Sequence, residues 1–390
     1  MAVFTGQQAY DRGDAVVVNS GRIVEEFLEL VQVDSVSGRE RKMADLLKEK
    51  LARLGLEVRE DAAGQAVGSD TGNIIGRLPG CGRGPALLLC AHMDTVEPGL
   101  GVRPRLEDGV IRSSGDTVLG ADDKAGIAAI LEVLRVVREQ RFEHGGLEVV
   151  FTIWEEGGLY GAKNLDYSLI TAKTGFVLDS DGPPGTIITR APSQDRIFAV
   201  IRGRAAHAGI NPEDGINAIQ VASHAIARMK LGRIDRETTA NIGVISGGKA
   251  SNIVPDTAAI EGESRSLDAA KREAQTEHMC RAIREAAGNF GARAEITTET
   301  VYHEFSLAEE SLPVRMAVAA ARRIGLTPRL EKTGGGSDAN ILNSKGIAAA
   351  VLGIGMKKVH TTGEYITVAD LVENARYLLE IIRTAQFAGY

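Results

Sequence analysis

Five short stretches of this sequence carry side chains suited to holding divalent cations and moving protons: His92-Met93-Asp94, Gly120-Ala121-Asp122-Asp123-Lys124, Glu155-Glu156, Asp179 and His360. Mixed imidazole and carboxylate donors are ordinary zinc ligands, with bonds of about 2.0–2.2 Å. Paired ions about 3.5–4 Å apart activate water and polarise a carbonyl in hydrolases. The chemistry in view is therefore metal-assisted hydrolysis.

His92 and Asp94 stand two apart, so in extended chain they face the same side. A metal-bound His commonly donates its second ring N–H to a carboxylate, a task open to Asp94. Read alone, the motif is also compatible with a strand-end turn and an N-capping Asp. Asp122-Asp123 precedes an apolar helical stripe and alone reads as an N-cap. Beside the other candidates, Asp122 can bridge two cations while its neighbour Asp123 caps the helix. Glu155-Glu156 is harder to explain blandly, because adjacent carboxylates after an apolar run repel and are costly to bury. One can bind metal while the other, its pKa raised, takes a proton from water. Asp122, Glu156 and Asp179 would neutralise all but one of the positive charges of two divalent ions, a remainder suited to holding hydroxide. His144, His224, His278 and His303 read as helix faces or polar turns.

These side chains need elements that bring them together. Apolar runs at 86–90, 147–154, 175–178 and 347–352 are continuously apolar, as in strands covered on both faces of a sheet. Each leads into a candidate ligand, and open α/β sheets bind ligands outside the carboxyl ends of their strands. Ile23, Phe27, Leu30 and Val31 share one helical face, a second helix is expected around 43–54, and Ile127, Ile130, Leu131 and Leu134 mark a third stripe. The middle of the chain differs. It reads strand 196–202, helix 216–230, strand 238–246, strand 258–264, helix 267–289, strand 292–298, the ferredoxin-like order. The expected fold is α/β, a mixed and mostly parallel sheet with helices on both faces, carrying an inserted ferredoxin-like α+β lid. The expected boundaries are 20–188 and 302–390 for the catalytic domain and 189–301 for the lid.

Size and charge agree with this. The 390 residues suit two packed units, and the formal net charge of −7 argues against a nucleic-acid partner. The three cysteines, Cys81, Cys90 and Cys280, fit a reducing compartment, so the cytoplasm is expected. No stretch approaches the ~20 apolar residues of a membrane span. Residues 1–20 read as a polar leader rather than a secretory signal.

Together, His92-Met93-Asp94, Gly120-Ala121-Asp122-Asp123-Lys124-Ala125-Gly126, Trp154-Glu155-Glu156-Gly157, Asp179 and His360 resemble the M20 family of metallopeptidases, most closely its peptidase T (tripeptidase) branch. The resemblance implies one metal on His92, Asp179 and the bridging Asp122, and another on Asp122, Glu156 and His360. It implies Glu155 as general base and acid, with Asp94 orienting His92. It also implies that His207 contacts the substrate carbonyl, often in a partner's site. Asn252 and Arg265 are similar to residues that bind the substrate's terminal carboxylate, for which an Arg is chemically apt. Gly334-Gly335-Gly336-Ser337-Asp338 resembles a backbone-exposing loop lining the site, and equally reads as a turn and N-cap. Ser180 and Asp181 stand where the peptidase T pattern has glycines, leaving Asp179 and Asp181 as alternative ligands; strand phase favours Asp179.

The expected activity is hydrolysis of an amide bond in a small peptide, of aminopeptidase or tripeptidase type, with two divalent ions. Zinc is expected, and cobalt or manganese share such ligands. A homodimer through the lid follows from the resemblance. A hydrolase of the same build acting on N-acyl or N-carbamoyl amino acids is the nearest rival. A non-catalytic metal-binding protein predicts a missing ligand or base, and none is missing. A nucleotide site at Gly157-Gly158-Leu159-Tyr160-Gly161 lacks the G-x-G-x-x-G spacing and follows acidic residues that would repel pyrophosphate.

Overall fold

The computed structural model describes residues 17–387; the expected leader lies largely outside them. The chain divides into two compact units. The first holds 17–187, Glu309–Arg329 and 347–387, and the second holds Ile188–Ala308 and Leu330–Gly346.

In the first unit, four parallel strands lie in the order Leu147–Thr152, Leu87–His92, Thr174–Ser180, Ala348–Gly353. All six residues of Leu87–His92 and of Leu147–Thr152 are buried, so both faces of the sheet are covered. Helix Ala121–Glu139 packs on Leu87–His92 and Thr174–Ser180, and helix Leu312–Arg323 packs on Ala348–Gly353. Helices Ser20–Val31 and Val368–Ala385 pack on Ala121–Glu139 in turn. The predicted apolar stripes are the contacts: Ile23, Phe27, Leu30 and Val31 are fully buried, as are Ile127, Ile130, Leu131 and Leu134. Each such side chain contributes about 1.5–3 kcal/mol on leaving water. Asn19 starts the first helix by accepting the Arg22 N–H at 3.0 Å. Part of the mixed character of the sheet comes from two strands the apolar pattern did not announce. Ile74–Leu78 pairs antiparallel with Leu147–Thr152, and Glu57–Glu60 pairs antiparallel with Ile74–Leu78. The latter is largely exposed and therefore carries no apolar run. A further small sheet joins Pro104–Glu107, Val110–Ser113 and Tyr365–Thr367.

The second unit carries strands Ser193–Arg202, Thr238–Gly247, Thr257–Ser266 and Arg293–Tyr302 with helices Ala218–Arg228 and Ala269–Asn289. The strands lie in the order Thr238–Gly247, Thr257–Ser266, Ser193–Arg202, Arg293–Tyr302, each antiparallel to its neighbour, which is the ferredoxin-like sheet. Both helices cover one face over a core that includes Ile197, Ala199, Ile201, Val221, Ile260, Met279 and Ile283. A buried polar set fixes this core. Asp195 accepts from Thr276 at 2.7 Å and Thr300 at 2.8 Å, and pairs with Arg272 at 3.1 Å.

Candidate metal centre

Parallel strands put their carboxyl ends on one edge of the first unit's sheet, and the candidate ligands collect there. His92 ends its strand and Asp179 lies near the end of Thr174–Ser180. Glu155 and Glu156 follow Thr152 through a sharp turn at Trp154, whose φ is +45°. His360, at φ +60°, sits in a closed loop in which Lys357 and Tyr365 exchange backbone hydrogen bonds of 2.9 and 3.0 Å. Asp122 comes from the first turn of helix Ala121–Glu139, where Asp122 and Asp123 depart from helical backbone geometry and their shared peptide bond is cis.

The side chains converge. Asp122 divides its oxygens: Oδ1 lies 3.0 Å from His92 Nε2, and Oδ2 lies 3.3 Å from His360 Nε2. His360 Nε2 is also 2.9 Å from Glu156 Oε1, and His92 Nε2 is 3.9 Å from Asp179 Oδ1. Donor atoms of His92, Asp122 and Glu156 lie within 4.8 Å of one another, and those of His92, Asp123 and Asp179 form a second such group. A tetrahedral ion bonded at about 2.0–2.2 Å separates its ligands by about 3.3–3.6 Å, which these distances bracket. The donor set therefore suits paired divalent ions. Asp181 is exposed, and its carbonyl accepts from Lys357 at 3.3 Å.

The titration of these groups reflects crowded negative charge. Burial would lower the His92 pKa, but hydrogen bonds to Asp122 and Asp94 lift it well above the ordinary imidazole value. Asp122 and Glu156 raise His360 to about 10. Burial pushes Glu156 and Asp123 upward, Asp123 strongly. Asp122 moves the other way: burial opposes ionisation, yet the two imidazoles hold its carboxyl below the usual range. Clustered carboxylates that must recruit protons are what a cation would relieve.

Around the cluster, Asp94 is fully buried and works mainly on backbone. Its Oδ1 accepts the Glu155 N–H at 2.9 Å, and its Oδ2 accepts the Glu156 N–H at 3.3 Å and the Ser37 hydroxyl at 2.6 Å. The nearest acceptor to His92 Nδ1 is the Asp94 carbonyl oxygen at 2.9 Å, with the carboxylate Oδ1 at 3.4 Å. Glu40 supports the same turn, accepting the N–H groups of Gly38 at 2.8 Å and Trp154 at 3.0 Å and the Ser69 hydroxyl at 2.9 Å. Burial, reinforced by Asp94, raises Glu40 to about 7.

Asp123 does not cap its helix, contrary to expectation. Its Oδ2 accepts the His92 backbone N–H at 3.1 Å, because the non-helical turn swings the side chain toward the strand end. The capping oxygens come instead from Glu364, which accepts from Leu119, Gly120 and Asp122. Ser37, Glu40 and Glu364 were not singled out by sequence. They are isolated polar residues whose partners are backbone groups remote in the chain.

The remaining candidates lie in the second unit. His207 is exposed, its Nδ1 accepting the Gly209 N–H at 3.2 Å, and it bridges to Ile253 beside Asn252, whose carbonyl accepts from Ala208 at 3.0 Å. Arg265 pairs with Glu263 at 2.9 Å and donates to the Tyr302 hydroxyl at 3.3 Å. Gly336 lies against Tyr302, since a Cβ on it would meet the ring at 2.2 Å, while the Gly335 N–H donates to the Thr333 hydroxyl at 3.1 Å. The Asn340 side chain then accepts the Ser337 N–H at 3.0 Å where helix Asp338–Ser344 opens.

Comparison with known proteins agrees with this arrangement. Residues 88–384 match the model of Peptidase family M20/M25/M40. An uncharacterized protein, YqjE of Bacillus subtilis, is 46% identical over 95% of this chain and 100% of its own. The structure of a tripeptidase from Staphylococcus aureus is similar with a TM-score of 0.91 at 42% identity, over 95% of this chain and 99% of that one. That of aminopeptidase PepT from Bacillus cereus is similar with a TM-score of 0.85 at 45% identity, over 94% and 99%. Among the described residues no helix is long and apolar enough to cross a membrane. With its ligand-bearing strand ends and its matched span, the chain belongs to the M20/M25/M40 family of peptidases.

Proposed function

We propose that this protein is an aminopeptidase of tripeptidase type, hydrolysing an amide bond of a small peptide with two divalent metal ions, zinc in preference to cobalt or manganese. The observation that carries the reading is the convergence of His92, Asp122, Glu156, Asp179 and His360 on one sheet edge, with Glu155 adjoining, in a chain of this peptidase family. Its likeness to the tripeptidase and aminopeptidase structures supports a peptide substrate.

His92, Asp122, Asp179, Glu156 and His360 would hold the ions, Asp122 being the carboxylate that lies against both imidazoles. Bound ions supply Lewis-acid activation of water and of the scissile carbonyl. Glu155 takes the proton of the attacking water as the C–O bond forms. It returns that proton to the amine nitrogen as the C–N bond breaks. Asp94, by holding the Glu155 and Glu156 backbone, keeps base and ligand in register. His207 donates to the carbonyl oxygen as it becomes negative. Asn252 and Arg265 bind the peptide's terminal carboxylate, Gly336 gives the chain beside Tyr302 its close approach, and Gly335 adjoins it in the same substrate-lining loop.

The protein acts in the cytoplasm, a setting supported by Cys81, Cys90 and Cys280 forming no disulfide. It forms a homodimer through the second unit. Support comes from the outer edge of strand Thr238–Gly247, whose neighbour on that side spans only Gly232–Arg233 among the described residues. Val244 and Ile245, 50% and 48% exposed, lie on that stretch.

The test is turnover on a panel of tripeptides, dipeptides, N-acetyl amino acids and N-carbamoyl amino acids, with Glu155→Ala as control. Tripeptide cleavage is expected, falling by about 10²–10⁴-fold in the variant while metal content is retained. Turnover confined to the N-acyl or N-carbamoyl compounds would overturn the peptidase reading.

A further inference from the structure

We propose that Glu364 is a positioning residue that locks the loop carrying His360 to the loop carrying Asp122, setting the spacing on which the two-ion site depends. The inference rests on the two-ion reading above and assigns a residue to it.

Glu364 lies four positions beyond His360 and is 2% exposed. Its Oε2 accepts the N–H groups of Leu119 and Gly120, each at 2.7 Å, and its Oε1 accepts the Asp122 N–H at 3.0 Å. These donors open helix Ala121–Glu139, where N–H groups have no partner within the helix. A Ser, Thr, Asn or Asp at the N-cap would ordinarily satisfy them. Here the N-cap is Gly120, at φ +78°, a backbone conformation that favours glycine and leaves no side chain to cap with. The chain supplies the missing carboxylate from 242 residues downstream.

The loop that delivers it is closed on itself. Glu364 N–H donates to the Thr361 carbonyl at 3.1 Å, the Thr361 hydroxyl donates to the Lys358 carbonyl at 2.7 Å, and Lys357 pairs with Tyr365. His360 and Glu364 thus move as one piece. One end of that piece places an imidazole against Asp122 Oδ2 and Glu156 Oε1, and the other grips the Asp122 backbone. A ligand pair drawn from distant parts of the chain is held by two attachments rather than one. Outer groups that orient ligands are worth about 10–100-fold in metal affinity or activity.

The experiment compares wild type with Glu364→Gln, a near-isosteric change that keeps one acceptor oxygen and replaces the other with a donor facing N–H groups. Metal-free protein is titrated with zinc by calorimetry, and folding is checked by circular dichroism and gel filtration. Wild type is expected to bind two ions. The folded variant is expected to bind at least one of them about 10–100-fold more weakly. Unchanged affinities in a folded variant overturn the proposal and leave the two-ion reading standing. A wild type that does not take two ions defeats that reading itself. Should the variant fail to fold, hydrogen exchange on wild-type protein decides: slow exchange at Leu119, Gly120 and Asp122 is expected, and fast exchange there overturns the proposal.

Discussion

The carboxylate of Asp94 accepts the backbone N–H of Glu155 at 2.9 Å, so the group next to the proposed imidazole ligand holds the proposed base by its main chain. The neighbouring Glu156 N–H reaches the other oxygen at 3.3 Å. One carboxylate thereby sets the register between the ends of two strands, and its own carbonyl orients His92.

Asp94→Asn keeps the volume but leaves one acceptor oxygen for three donors. Activity should fall by about 10–100-fold. The loss should appear in kcat with KM little changed, since the residues proposed to bind substrate are elsewhere. A variant with wild-type kcat would show that the Asp94 contacts do not position Glu155.

Glu40 gives a pH dependence. Its folded pKa is about 7 against an ordinary 4.5. Between those values the folded protein holds a proton that the unfolded chain has lost, so stability falls as pH rises through this window. The size is about 3 kcal/mol. In Glu40→Gln the group stays neutral and that slope disappears. Urea unfolding of metal-free wild type and variant at pH 5, 6, 7 and 8 measures the difference. The contributions of His92 and His360 are common to both and cancel. Parallel curves would contradict the assignment.

Metal removal should loosen the first unit. Ions that bind only the folded state stabilise it by about 2.7 kcal/mol at a hundredfold excess over Kd. Chelation should lower the melting temperature by several degrees and zinc should restore it. An unchanged melting curve would mean that the cluster does not bind ions tightly.

Gly336→Ala drives a methyl group into the Tyr302 ring, 2.2 Å from the nearest ring atom. Overpacking of this kind costs about 1–3 kcal/mol. Because Tyr302 also accepts from Arg265, KM for peptides should rise as well. A variant as stable as wild type with the same KM would remove Gly336 from the substrate-binding reading.

Much of this was legible in the sequence because apolar patterning reports burial. The strands Leu87–His92 and Leu147–Thr152 are buried throughout, and Thr174–Ser180 and Ala348–Gly353 are buried over most of their length, so all four stand out as continuous apolar runs. The ferredoxin-like order was legible for the same reason, with Ile197, Ala199 and Ile201 alternating along a strand that has one exposed face. The exposed strand Glu57–Glu60 and the hairpin Pro104–Ser113 bury too little to leave such a trace. At the candidate site, His92, Glu156, Asp179 and His360 were proposed by type and by following apolar runs, and Asp122 by type and by preceding an apolar helix. Glu364, Glu40 and Ser37 did not, since a side chain that bonds to remote backbone needs no motif around it. Asp123 was misread as a cap because a helix start beginning with Gly-Ala-Asp-Asp gives no sign that Glu364 already occupies that role.

The central claim is tested most directly by zinc anomalous scattering from crystals of the zinc-loaded protein. Two peaks about 3.5–4 Å apart are predicted, with Asp122 between them, His92 and Asp179 flanking one and Glu156 and His360 flanking the other. A single peak, or ions bound away from Asp122, would contradict it.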